Sequence, residues 1–181
     1  QAGVTRFLSL TVRELVWLTP AAHRALVNYL AGYDLAATVR VWQLPSDDPL
    51  FYVVQEPREL HAEAVDGTLV RLVDVPAALE GRDYESEGRI SFAIADELYP
   101  WNAGMWELVV EGGRGRVRRL GTGDDGALCL NQRALAMLSS GYASATLLAR
   151  MGLVSASDPK ALPCADALFR GSYANLCLDM F

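Results

Sequence analysis

Residues 68–84 read Thr-Leu-Val-Arg-Leu-Val-Asp-Val-Pro-Ala-Ala-Leu-Glu-Gly-Arg-Asp-Tyr, and three signals follow one another within them. Thr68 to Val73 is apolar-rich and bounded by turn residues, which reads as a strand. Asp66-Gly67 lies just before it, between two apolar-rich runs. A two-residue type I′ turn needs φ > 0 at both positions, so Asp-Gly marks a hairpin tip. Asp74 then precedes Val75-Pro76-Ala77-Ala78-Leu79, where an aspartate can accept hydrogen bonds from the first free amides of a helix. Residues 81–88 (GRDYESEG) are polar and glycine-flanked, the composition of a linker. That places a boundary between 1–83 and 84–181.

Working outward toward the N-terminus, residues 7–17 (FLSLTVRELVW) put Leu8, Leu10, Val12 and Val16 on one face against Ser9, Thr11 and Arg13, which is strand periodicity. Thr19 and Pro20 open a helix as N-cap and first-turn proline, and Leu26, Tyr29, Leu30 and Tyr33 give it one apolar stripe. Ala37 to Val41 reads as a strand. Asp48-Pro49 signals a short helix that closes before Pro57. Toward the C-terminus, strand-like runs at 89–95, 104–110 and 115–120 are separated by Pro100, Gly104 and Gly112-Gly113, the layout of a meander. A short strand at 127–130 precedes helices capped by Asn131 and Ser144 and a last one opened by Asp158-Pro159. Strands and helices mix without regular alternation, so the fold class is α+β in two small mixed domains. A length of 181 residues accommodates two such units.

Half the residues are hydrophobic (51%) and only 21% are charged, enough apolar content for a sizeable core. Apolar runs such as Leu50–Val54 fall far short of the ~20 residues that span a membrane, and no signal-peptide pattern opens the chain. The first residue is Gln1 rather than Met and leads into strand-like sequence, so a chain cut or cloned from something longer is expected. A net charge of −6 disfavours nucleic acid and anionic membrane as partners and favours a cationic one. Arg114, Arg116, Arg118 and Arg119 form a basic run whose alternation is that of a solvated strand face. Cys129, Cys164 and Cys177 are odd in number and lack metal-ligand spacing. They read as core packing in a reducing cytoplasm.

Few motifs carry chemistry. His23 and His61 are the two histidines, and only Glu63 stands near either at metal-ligand spacing; no metal site is expected. There is no Gly-x-Ser-x-Gly nucleophile elbow. Arg118-Arg119-Leu120-Gly121-Thr122-Gly123 matches Arg-x-x-Gly-x-Gly, a pyrophosphate-cradling pattern that depends on backbone amides and a helix N-terminus. Here the glycines run into Asp124-Asp125-Gly126 and strand-like sequence, so the string reads as a turn.

Residues 71–84, the pairing of HRALVNYLAGYDLAATV (23–39) with DDPL (47–50), PWNAGMW (100–106) and the terminal Phe181 together resemble the C-terminal half of the enhanced-intracellular-survival (Eis) type acetyltransferases. The resemblance covers nearly the whole chain. It implies a partial GNAT-like mixed sheet with helices over 1–83, without its own cofactor, and a sterol carrier protein type 2-like domain over 84–181, a sheet with C-terminal helices.

The same resemblance implies an acetyl-CoA-dependent N-acetyltransferase acting on primary amines, with aminoglycosides and lysine side chains as substrate classes. Acetyl-CoA would bind a preceding GNAT domain, the missing partner, so that this piece alone binds no cofactor and is inactive. Its contribution would be a pocket wall and the free carboxylate of Phe181, acting as a base, with Asp74 and Asp179 as substrate-binding acids. The family often carries an acidic residue just before its terminal Phe, whereas Met180 stands there in this chain and Asp179 one place earlier. Asp74 reads either as an acid facing a cationic amine or as a helix N-cap. Tyr99, Trp101 and Trp106 either line an apolar cavity or belong to a core. The longer parent is expected to form homo-oligomers. The alternative is a noncatalytic module that binds a lipid or another apolar ligand.

Overall fold

The computed structural model describes residues 8–65, 67–123 and 126–178. They form two compact units, one holding the described residues up to Ala64 together with 176–178, the other spanning Val65–Asn175.

The first unit is built on a β-α-β element. Strands β1 (Leu8–Val12) and β2 (Ala36–Val41) pair in parallel, with Leu10 opposite Val39 and Val12 opposite Val41. A parallel pair needs a crossover, and α1 (Pro20–Ala31) supplies it. Thr19 caps α1 as its spacing requires, the hydroxyl accepting from the Ala22 amide at 3.1 Å. The helix buries His23, while Tyr29 and Tyr33 of the expected stripe face solvent. The short helix α2 (Leu50–Val53) follows Asp48-Pro49 as anticipated.

The second unit is a five-stranded sheet in the order β5-β4-β3-β6-β7. Strands β3 (Gly88–Ala95), β4 (Gly104–Glu111) and β5 (Arg114–Gly121) form the antiparallel meander. Gly112 and Gly113 turn β4 into β5 with φ of 55° and 76°, a conformation that side chains with a Cβ resist. Strand β6 (Leu128–Asn131) runs parallel to β3, and β7 (Val154–Ala156), too short to stand out in the sequence, lies antiparallel to β6. Ile90, Phe92 and Ile94 of β3 and Trp106, Leu108 and Val110 of β4 alternate inward and are buried in one core. Helices α4 (Gln132–Ser139), α5 (Ala145–Arg150) and α6 (Ala161–Phe169) add Leu135, Leu138, Leu148, Leu168 and Phe169 to it. Asn131 and Ser144 cap α4 and α5 through Ala134 and Leu147, at 2.9 and 3.0 Å.

Helix α3 (Val75–Glu80) corrects the expected division at 83/84. It packs on β5, where Glu80 Oε1 accepts the Val117 amide at 2.8 Å and so occupies part of an open sheet edge. Tyr84, buried, donates its hydroxyl to Leu79 O at 2.7 Å, and its amide reaches Gly113 O at 3.1 Å. Residues 81–88 therefore connect parts of one unit, and the division falls between Ala64 and Val65. Polar composition identified a surface turn, not a boundary. The strand expected at Thr68–Val73 is not formed; the segment has no ladder partner among the described residues, and Leu69 is 99% exposed. Asp66 of the expected hairpin tip lies outside the described residues.

Candidate functional site

A buried polar network holds residues 71–75 at the point where the second unit begins. Its centre is Asn102, 1% exposed, in the turn between β3 and β4. Asn102 Oδ1 accepts the Val75 amide at 3.1 Å, while Nδ2 donates to Leu72 O, Val73 O and Asp96 Oδ2 at 3.3, 3.1 and 3.3 Å. Gln132, at the start of α4, donates to Leu72 O, and Trp101 Nε1 donates to Val73 O at 2.9 Å. The carbonyls of Leu72 and Val73 are thus each met by two side-chain donors, as buried backbone requires.

Asp96, whose side chain is fully buried, closes β3. Its Oδ1 accepts the amides of Leu98 and Tyr99 at 3.1 and 3.0 Å and lies 2.5 Å from Arg71 Nη2. Burial pushes its pKa up. The Tyr99 amide, the Asn102 side chain, the Arg71 guanidinium and the Leu98 amide outweigh that and hold it below the ordinary carboxylate value. Arg71 also lies 4.8 Å over the Tyr99 ring, which stacks on Trp101 at 4.9 Å. Trp106 is buried core with its Nε1 on Asn102 O, and Trp101 is 56% exposed, so these aromatics do not line a common apolar cavity.

The first unit holds a buried histidine–carboxylate pair. His23 Nε2 lies 3.2 Å from Asp48 Oδ1, which also accepts the Leu50 amide at 2.8 Å; Asp48 Oδ2 accepts from Trp17 Nε1 at 3.5 Å. The Trp17 ring meets His23 edge-on. With His23 4% and Asp48 1% exposed, the pair is sealed from substrate and fastens α1 to the turn before α2. Among the described residues no His, Cys, Asp and Glu group could hold a metal ion.

Of the acids singled out in the sequence, Asp74 is exposed and caps α3, its Oδ1 accepting the Ala77 amide at 2.9 Å. Phe181 and Asp179 lie outside the described residues. Of the Arg118–Gly123 string, the residues up to Gly121 end β5 and Thr122 and Gly123 lie beyond it. Arg118 is held by Glu107, Arg119 donates to Ala103 O at 2.7 Å and stacks over Trp106, and the next element among the described residues is the strand β6. The described residues therefore offer no loop-and-helix cradle for the pyrophosphate of coenzyme A. Asp96, Asn102 and Gln132 were not singled out beforehand. The one local signal for them is the acid that ends a strand two residues before a free amide, an Asx-turn pattern at Asp96.

Comparison with known proteins places this geometry in a family. The model of the sterol carrier protein domain matches residues 75–177, and that of the acetyltransferase (GNAT) domain matches residues 2–72. An uncharacterized N-acetyltransferase of Streptomyces avermitilis is 38% identical over 94% of this chain and 40% of its own length. N-acetyltransferase Eis of Mycobacterium tuberculosis is 30% identical over 87% of this chain and 38% of its own. The crystal structure of Eis1 from Mycobacterium abscessus superposes with a TM-score of 0.79 at 34% identity, covering 96% of this chain and 43% of that one. The chain thus spans about 40% of the length of the curated relatives it matches. With the sheet and helices of residues 75–177 matched along their whole run, the chain belongs to the sterol carrier protein domain family, joined to a GNAT acetyltransferase domain and homologous to the Eis-like N-acetyltransferases.

Proposed function

We propose that the chain works as part of an Eis-like N-acetyltransferase that takes its acetyl group from acetyl-CoA and passes it to a primary amine of the aminoglycoside or lysine class. The observation that supports this reading most is the length of the match: relatives named N-acetyltransferases align over both units. In this reading the donor binds a GNAT domain that this chain partners, and the chain alone does not turn over. Its contribution is a wall of the amine pocket and the α-carboxylate of Phe181. Such a carboxyl titrates near ~3.5 in water and rises on apolar burial, which suits it to take a proton from the substrate ammonium and leave the neutral amine. Asp179 and Asp74 supply negative charge toward the cationic substrate, Asp74 while capping its helix. Assembly as a homo-oligomer in the cytoplasm belongs to the same proposal, supported by apolar side chains such as Leu18 and Tyr52 that the first unit leaves exposed.

The experiment is acetyl transfer to an aminoglycoside and to a lysine peptide by the longer enzyme, with and without Phe181. Deletion lowers kcat on the order of 10²-fold, the usual scale for a positioned acid or base. Undiminished turnover removes the role. The sterol carrier match supports a second reading, in which the second unit holds an apolar ligand. Native mass spectrometry separates the two, since a carrier arrives with its ligand bound.

A further inference from the structure

The second unit carries a cleft of about 340 Å³, lined by Arg89, Ser91, Glu107, Asp158, Lys160 and Cys164 among others. That volume falls at the lower end of the ~300–1,000 Å³ typical of small-molecule sites. The topology explains why it is there. Strand β3 stays paired with β4 down to Gly88 opposite Val110, but its register with β6 begins only at Phe92 opposite Leu128. Residues 88–91 therefore have a strand on one side only. On the other side Cys164 Sγ donates to Arg89 O at 3.5 Å, and Ser91 Oγ accepts the Ala127 amide at 3.1 Å.

Charge at the rim is unevenly committed. Glu107, 9% exposed, is gripped on Oε2 by Arg118 Nε and Nη2 at 3.0 and 2.7 Å. Arg89 makes a looser approach to its other oxygen at 3.7 Å, with a side chain 67% exposed. Lys160, exposed at the start of α6, has no ion-pair partner among the described residues. Asp158 is the opposing charge, and its Oδ1 accepts the Lys160 amide at 2.9 Å. With Arg118 included, three cations meet two carboxylates, on a chain whose net charge is −6. Burial pushes the Cys164 thiol up, so it lines the cleft as a neutral group.

We propose that this cleft is a binding site for a small ligand bearing an oxyanion, a carboxylate or a phosphate, held by Arg89 and Lys160 with its remainder against Ile90 and Ser91 of β3. An arginine beside a lysine suits this ligand, the planar guanidinium matching two oxygens while the ammonium adds a mobile point charge. The site lies wholly in the second unit and stands independently of acetyl transfer.

The test is a ¹⁵N–¹H titration of the complete 181-residue chain at low salt, with inorganic pyrophosphate and, separately, succinate, to distinguish phosphate from carboxylate. Saturable shifts concentrate on the amides of Arg89–Ser91 and Lys160–Cys164. R89A and K160A each weaken binding by about threefold to fivefold, the scale of one exposed charge contact. D158N, which keeps the acceptor for the Lys160 amide but sheds the charge, strengthens it by a similar factor. R150A, in the last turn of α5, leaves the affinity unchanged. Because Lys160 is exposed, K160A serves even where R89A loosens β3. Shifts that do not saturate, that spread equally over Arg114 and Arg116, or that respond to R150A as to K160A overturn the proposal. So does weaker binding in D158N.

Discussion

Asn102→Ala tests whether the buried network is what fastens residues 71–75 to the second unit. The substitution removes four hydrogen bonds, but they are not equal. Leu72 O keeps the Gln132 amide, and Val73 O keeps the Trp101 indole at 2.9 Å. What is stranded is the Val75 amide, in a residue 0% exposed, together with one of the bonds that hold Asp96 ionised. A buried donor left without a partner costs about 1–3 kcal/mol, and a lost bond to a charged group is of the same order, so the total is about 3 kcal/mol or more. Native-state hydrogen exchange on the amides of β3 and β4 reads this unit without interference from the other. At 1.4 kcal/mol per decade, exchange through opening of the unit accelerates about a hundredfold. Asn102→Asp sharpens the test. It restores an acceptor for Val75 but sets a second carboxylate against Asp96, where Asn102 Nδ2 now sits at 3.3 Å from Oδ2. Two such groups cannot both ionise cheaply, so the deficit is greatest at neutral pH and shrinks on acidification. The wild type behaves oppositely. Asp96 has a depressed folded-state pKa, so its contribution is present above the unfolded value near ~3.9 and is lost as pH falls through the folded one. A loss below about 1 kcal/mol in Asn102→Ala, under the cost of a single stranded donor, or an Asn102→Asp deficit that does not change with pH, refutes the reasoning.

Tyr84 gives the alkaline counterpart. Burial, opposed by Arg82 and aided by Glu80, pushes its pKa up to about 12, so its contribution is intact below about 10 and is lost as pH rises from there to 12. In Tyr84→Phe, chemical denaturation at pH 9 and 11 shows that added alkaline loss disappear. Gly126→Ala places a Cβ 2.5 Å from Ala93 N and 2.7 Å from Phe92 C, both backbone, so β3 and the approach to β6 must separate. A loss of about 3 kcal/mol or more in thermal unfolding is expected, beyond the usual range for a surface substitution. Asp74→Ala removes the cap of α3 and costs about 1 kcal/mol, whereas Asp74→Asn keeps the acceptor and stays near wild-type stability. If Asp74 also recognises a cationic amine, Asp74→Asn raises KM in the longer enzyme with no change in melting temperature. An unchanged KM leaves the residue as a cap alone.

Caps were legible because they are local. Thr19, Asp74, Asn131 and Ser144 each accept from an amide three residues ahead, and short polar side chains before apolar runs announce this. The meander was legible because alternation and glycine turns lie along one stretch of chain. The network was not, because its bonds join residues 25, 27 and 60 positions apart and no pattern along the sequence encodes such pairs. Strand β7 escaped because three residues carry no period. The candidate base and one candidate acid, Phe181 and Asp179, lie outside the described residues, so their roles rest on the family resemblance.

Thr68–Val73 fails as a strand for want of a pairing partner among the described residues. Apolar, β-favouring residues give a segment the means to pair, but ladder hydrogen bonds require a neighbour, and among the described residues none is offered. The segment's C-terminal end is nevertheless fixed with care, by Arg71 on Asp96 and by Asn102 and Gln132 on Leu72 O. The exposed part before it carries Leu69 and Val70 into solvent. The bonds of the network go to the chain's own backbone and side chains, so it fastens residues 71–75 to the second unit. On that account Asn102→Ala frees residues 71–75, and hydrogen exchange rises at the Val75 amide together with β3 and β4 while β1 and β2 keep their protection. Equal loss of protection in β1 and β2 would mean that the network does not act on the second unit alone.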